Sequence, residues 1–330
     1  MRQLELTERI MRLRSVPMFR GVATADLVQL ASSMRQRSYE KGEVIIREDE
    51  PPRSFFMITQ GAVSMSRKGK HIGTIKAPGG VGFLSVLART AGGTEAVADV
   101  YTEGYEVRSD AIDEMLEDHF TIFLGTLRWV AERVLASTRE SPPPAFVPPS
   151  VPFDHLIGDR ELGIVERIFI LRRSRAMSMA NVNSIARVAR RMQEVRAPAG
   201  TVLWKPGEPG DHSFFVVKGM LDLVYDEHKD GPWVQPVGPG YVVGGGESLV
   251  GHPRWNVLVA REPVVLLKGS REALLDMMED DHEVAMRFLS MFAGFLMAMW
   301  DRKAELGIAA VGTGPSPAES PQSEAPTPAP

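Results

Sequence analysis

Cysteine is absent from all 330 residues. That removes disulfides, thiolate metal sites and cysteine nucleophiles together. The seven histidines (71, 119, 155, 212, 228, 252 and 282) include no closely paired His-x-His set, so the ligand spacing of a metal enzyme is missing. No nucleophile–base constellation or phosphate-loop signature stands out. Nor is there a surplus of positive charge. With 38 Lys+Arg against 42 Asp+Glu, the net charge of −4 gives no electrostatic reason to expect nucleic acid or anionic lipid as a partner. The most apolar run, residues 288–300, is 13 residues long, against the roughly 20 that a bilayer span needs. It is expected to be a buried or dimer-forming helix without membrane insertion. The charged, helix-like N-terminus lacks the apolar centre of a signal peptide. These absences together lead to the expectation of a non-enzymatic, cytoplasmic chain.

What is present is an internal repeat. Lys41-Gly42-Glu43-Val44-Ile45-Ile46 followed by Ser54-Phe55-Phe56-Met57-Ile58-Thr59-Gln60-Gly61 matches Ala199-Gly200-Thr201-Val202-Leu203-Trp204 followed by Ser213-Phe214-Phe215-Val216-Val217-Lys218-Gly219. The two glycines lie nineteen residues apart in both copies. Each copy sits among short strand-like runs separated by Gly, Pro and charged turns, which suggests a small β-roll. Helical periodicity flanks each roll, at residues 1–16, 24–34, 110–117 and 120–138 in the first half. In the second half it falls at 160–173, 180–192, 271–278 and 283–305. Residues 139–153 hold six prolines and read as a semi-rigid spacer. The tail from 309 is rich in Pro, Ala and Ser and is expected to be disordered. The organisation expected is therefore a first unit over 1–138, a linker over 139–153, a second unit over 154–308 and a tail over 309–330.

One stretch carries candidate chemistry: Gly244-Gly245-Gly246-Glu247-Ser248-Leu249-Val250-Gly251-His252-Pro253-Arg254. Glycines allow a backbone to come close to a ligand and free its N–H groups. A carboxylate can take a sugar hydroxyl, and an arginine can clamp a phosphate.

With Pro17-Met18-Phe19-Arg20-Gly21 ahead of the first roll and Pro206-Gly207-Glu208-Pro209-Gly210-Asp211 in the second, each unit resembles a cyclic-nucleotide-binding domain. Such domains occur in catabolite-activator-like regulators, protein kinase A regulatory subunits and cyclic-nucleotide-gated channels. The resemblance covers residues 15–137 and 165–303. It implies an α+β, mainly β chain of two double-stranded β-helix (jelly-roll) domains, each flanked by helices. It further implies a phosphate-binding cassette, in which a short helix offers its N–H groups to a cyclic phosphate. In the second unit Gly246 matches the cassette glycine, Glu247 the ribose carboxylate, Pro253 the proline and Arg254 the phosphate arginine. Ser248 lies within the cassette, and Trp255 and Asn256 stand where small residues normally follow the arginine. The separation from Glu247 to Arg254 is seven residues, about two shorter than is usual in the family. In the first unit Gly82 survives, Phe83 replaces the carboxylate, no arginine appears in residues 92–96, and Arg89 falls inside the cassette helix.

The resemblance implies a regulator without a cofactor. Its expected ligand is cAMP or cGMP, bound in the second unit and coupled to the 283–305 helix, with the signal passed to a partner protein. A ligand-free scaffold using both rolls for protein interaction is the alternative. Trp300 and Met297 stand where base-capping residues could lie, with core packing as their other reading. Met286 to Trp300 is expected to support self-association. After that helix the chain runs into the Pro-rich tail, leaving no room for a helix-turn-helix.

Overall fold

The computed structural model describes residues 2–15, 19, 22–51, 53–89, 93–141, 153, 157–158, 160–174, 177–178, 180–225 and 231–308. Residues 142–152 of the expected spacer and the expected tail, 309–330, lie outside that set.

The first half opens with α1 (Arg2–Ser15) and α2 (Thr24–Ser33). Eight strands follow: β1 (Arg35–Tyr39), β2 (Val44–Ile46), β3 (Ser54–Gln60), β4 (Ala62–Arg67), β5 (Lys70–Lys76), β6 (Gly79–Val81), β7 (Glu95–Ala98) and β8 (Thr102–Arg108). The short α3 (Phe83–Ala88) interrupts them after β6, and α4 (Ser109–Asp118) and α5 (Phe120–Glu140) close the half. The second half repeats the order with α6 (Ile164–Arg172), α7 (Val182–Arg191), β9 (Gln193–Ala197), β10 (Val202–Trp204), β11 (His212–Lys218), β12 (Leu221–Tyr225), β13 (Trp233–Val237) and β14 (Val242–Val243). Then come α8 (Gly245–Val250), β15 (Val257–Ala260), β16 (Val264–Ser270), α9 (Arg271–Asp280) and α10 (His282–Glu305).

Each roll is two four-stranded antiparallel sheets. The first has orders β1-β8-β3-β6 and β2-β7-β4-β5, the second β9-β16-β11-β14 and β10-β15-β12-β13, so every strand has its counterpart eight strands later. The repeat extends to irregularities. Pairing shifts between Ile58 and Gln60 in β3 and between Val216 and Lys218 in β11, at matching positions of the copies. The repeated glycine after each of these strands has a steric cause. Gly61 has φ of 100°, and a Cβ there would lie 2.6 Å from the Tyr101 carbonyl oxygen; Gly219 has φ of 83°, and its Cβ would lie 2.4 Å from that of Pro263.

The central strands show how the layers form. Side chains alternate across a strand, yet Phe55 to Ile58 and Phe214 to Val217 are buried throughout. Phe56 and Ile58 point into the first roll while Phe55 and Met57 join the helices outside it. Phe214 and Val216 fill the second roll while Phe215 and Val217 join the same helical core. That core is continuous between the halves, bringing Leu127 and Val130 of α5 together with Leu289 and Leu296 of α10. Each such fully buried side chain contributes about 1.5–3 kcal/mol.

The long helices are exchanged. α10 lies along α3 of the first half as well as along α5, and α5 lies along α8 of the second half. The apolar face of Met286–Trp300, expected to support self-association, is thus covered in large part from within the chain. Met286, Phe288, Leu289, Ala293, Leu296, Met297 and Met299 are buried within the chain. By length and composition α10 could cross a membrane, but half of its most apolar window is buried inside the protein.

Candidate functional site

The geometry at α8 begins with a glycine that cannot be replaced freely. Gly244 is the residue before the helix and has φ of 79°. A Cβ there would lie 2.5 Å from Nη1 of Arg254 and 2.8 Å from the Trp204 ring. Gly210 is as tightly placed, since its Cβ would lie 2.1 Å from the His252 carbonyl oxygen. These two glycines let the β10–β11 turn, the start of α8 and the Arg254 segment close on one another. Backbone bonds fasten the closure: Arg254 N–H donates to Glu208 O at 2.8 Å and Gly207 N–H donates to Arg254 O at 2.7 Å.

Arg254 is the centre of the site. Its side chain is 0 % exposed. Nη1 donates to Gly244 O at 3.1 Å, Nη2 donates to His212 O, and the guanidinium lies 4.0 Å from the centre of the Trp204 ring. Glu247 Oε2 stands 3.9 Å from Nη1. Glu247 Oε1 accepts from Asn256 Nδ2 at 3.5 Å, and Asn256 Oδ1 accepts from Trp204 Nε1 at 2.9 Å. Glu247, Arg254, Asn256 and Trp204 thus form one buried polar group. It is incompletely satisfied, because Nε of Arg254 and Oγ of the buried Ser248 have no hydrogen-bond partner. Such groups are costly in a low-dielectric interior.

The electrostatics follow from that burial. Desolvation pulls the Arg254 guanidinium below its usual range, and Glu247, then Asp211 and Glu208, pull it back. Burial, helped by Glu247, raises the Tyr225 hydroxyl well above its ordinary value. His212 is lowered, mainly by burial, although Asp211 opposes the shift.

The sequence-predicted residues divide in the structure. Glu247, Arg254 and Asn256 come together, and Ser248 lies buried beside them on α8. Pro253 is exposed. Gly246 faces away from this group: a Cβ on it would lie 3.2 Å from Leu135 of α5 and 3.9 Å from Phe292 of α10. Trp255 points towards Tyr225, with ring centres 4.7 Å apart, and the Arg139 guanidinium of α5 lies 5.3 Å from its ring. Trp204, His212 and Tyr225 were not singled out by sequence. The first two flank the quoted Pro206–Asp211 turn, and that adjacency was the available signal. Met297 is buried, and Trp300 packs on the first roll rather than the second.

The first cassette has the same backbone and different chemistry. Gly82 precedes α3 with φ of 87°, close to the value at Gly244. Phe83 contacts the rings of Phe55 and Trp129 at 5.4 and 5.9 Å between centres. Arg89 turns outward to Asp113 at 2.8 Å.

A model of the cyclic nucleotide-binding domain matches residues 36–119 and 194–281, together more than half of the chain. The chain belongs to the cyclic nucleotide-binding domain family. A cAMP-dependent protein kinase regulatory subunit of Mycosarcoma maydis is 28% identical over 126 residues, which are 37% of this chain and 23% of that protein. The match therefore spans under a quarter of that relative's length. Among solved structures, the regulatory domain of Toxoplasma gondii PKA, crystallised with cAMP, is 14% identical at a TM-score of 0.36, covering 88% of this chain and 96% of that one. A cAMP-binding acyltransferase from Mycobacterium smegmatis is 23% identical at a TM-score of 0.31, covering 35% and 36%. Among the described residues no group of three or more His, Asp or Glu is placed to hold a metal ion.

Proposed function

We propose that this chain is a non-enzymatic regulator whose second domain senses a cyclic mononucleotide, cAMP or cGMP, and passes the signal to a partner protein. The observation that carries the reading is the buried Glu247–Arg254 pair at the start of α8, with Arg254 Nε and Ser248 Oγ unpartnered. An anionic phosphate would compete with the neutral carbonyls of Gly244 and His212 for the guanidinium, because it adds the attraction of a full opposite charge and can take two parallel hydrogen bonds at once. The first-turn N–H groups of α8 would add to that pull. Glu247 would accept from a ribose hydroxyl.

The contacts around this site support α5 as the helix that answers first. The expectation was the 283–305 helix. Leu135 of α5 packs on Gly246, and Arg139 of α5 lies over Trp255, the residue after Arg254. A ligand that opens this site moves α5 before it moves α10. Such coupling requires different ligand affinities for the two α5 positions.

Titration calorimetry of the full chain with cAMP and cGMP tests the reading. Saturable heat is expected for one of them, weakened about 10-fold to 100-fold by Arg254→Ala. Arg254→Lys, which keeps the charge, is expected to lose less. No heat with either nucleotide at millimolar concentration overturns the reading.

One observation favours a second reading, a ligand-free scaffold. Arg254 is fully enclosed and already bonded to two carbonyls and a ring. On that reading it is a strut, and Arg254→Ala lowers stability while leaving partner binding intact.

A further inference from the structure

The first roll has lost the carboxylate and the arginine of its cassette, yet a guanidinium stands beside the place where the arginine is missing. It belongs to Arg67, at the end of β4. Its Nη1 donates to the carbonyl of Gly93 at 2.6 Å, within the 92–96 stretch that carries no arginine. The β4–β5 turn fixes its position, because Lys68 and Gly69 both take positive φ, 51° and 70°, as a tight hairpin turn requires.

The anion facing Arg67 comes from the other half of the chain. Nε of Arg67 donates to Oδ1 of Asp301 at 2.6 Å, and Nζ of Lys68 donates to Oδ2 at 2.7 Å. Asp301 lies on α10 directly after Trp300, which packs against the first-roll core of Phe56, Val63, Ile72 and Val81. Two further polar contacts hold the same helix to the first half. Ser290 Oγ donates to Ala88 O at 2.7 Å, at the end of α3, and Lys303 Nζ donates to Glu140 Oε2 at 2.5 Å, at the end of α5. An aromatic ring with an adjacent anion is the chemistry that a nucleotide would offer such a roll.

We infer that the first domain is a receptor for the chain's own last helix. Trp300 and Asp301 are the occupant, and Arg67 is the cation that receives the carboxylate in place of the lost cassette arginine. The domain is thus self-liganded, and α10 is latched to it by ionic contacts that can be broken and remade. Arg67 and Asp301 are only 11% and 17% exposed, so water screens this pair less than a surface pair.

Hydrogen exchange on the full chain, read by mass spectrometry without nucleotide, tests this separately from the calorimetry. Asp301→Arg is expected to speed exchange in 290–305 and 62–76 about tenfold or more, with β16 in the second roll unchanged. Adding Arg67→Glu and Lys68→Glu to Asp301→Arg is expected to return both segments towards the wild-type rate. Trp300→Ala, which introduces no charge, is expected to loosen the same two segments and serves if the charge reversal prevents folding. Unchanged exchange in 290–305, acceleration spread equally to β16, or no recovery on charge exchange would each overturn the latch.

Discussion

His212 joins the site through its backbone and through its ring. Its carbonyl receives Arg254, and its ring packs at 6.1 Å from that of Trp204 while Nδ1 bonds Asp211 at 2.6 Å. Burial lowers the imidazole, so the folded state binds its proton more weakly than the unfolded chain does. The stability this neutral ring contributes is full above the ordinary histidine range and is lost as pH falls through it towards the lower folded value. The Asp211 carboxyl is also lowered, first by its bond to His212, and its contribution is lost further down, as pH falls below the ordinary carboxylate range. Urea midpoints at pH 7.5 and 5.5 are therefore expected to fall on acidification, and to fall less in His212→Gln. An equal slope in the variant would show that the ring does not sense pH. Glu247 and Arg254 were legible in sequence because each carries chemistry beside a cassette landmark, Glu247 after Gly246 and Arg254 after Pro253, although their separation is shorter than the family's. The partners they take were not, since Gly244 O and His212 O are backbone atoms that no residue type announces.

Between elements, the contact of α5 with α8 sets the scale of coupling. Gly246 lies within α8, where glycine costs about 1 kcal/mol relative to alanine. A methyl there would stand 3.2 Å from Leu135 Cδ2, tighter than an ordinary contact, and crowding costs about 1–3 kcal/mol. Gly246→Ala alone is thus expected to be neutral or destabilising. In a Leu135→Ala background, itself costing about 2–4 kcal/mol, the same change is expected to stabilise by about 1 kcal/mol. A double-mutant cycle by urea unfolding measures the difference; additive changes would mean that α5 does not bear on the cassette. No sequence pattern showed this contact. The two helices are more than a hundred residues apart, and helical periodicity marks an apolar face without naming what covers it.

Across the whole molecule, the shared helical core makes the halves depend on each other. Leu127 and Val130 from the first half and Leu289 and Leu296 from the second are fully or almost fully buried in one cluster. A large apolar interface of this kind opposes independent domain motion. Calorimetric unfolding is therefore expected to show one transition, with van't Hoff and calorimetric enthalpies equal. Two resolved transitions would show that the halves unfold separately. The exchange of α5 and α10 also explains why Met286–Trp300 read as a sticky face: its complement lies in the other half.

The repeat was decided locally. The nineteen-residue glycine spacing, the alternating strand faces and the cassette glycines are set by steric limits on φ and by the two-residue period of strands. A chain carries those limits residue by residue, so two rolls and a weakened first cassette could be read directly. Tertiary structure decided what those limits leave open. It turned Arg254 onto two carbonyls, laid α5 over the second cassette, and set Trp300 and Asp301 against the first roll. Those outcomes depend on which buried groups meet once both halves share a core, and burial between distant segments has no local signature.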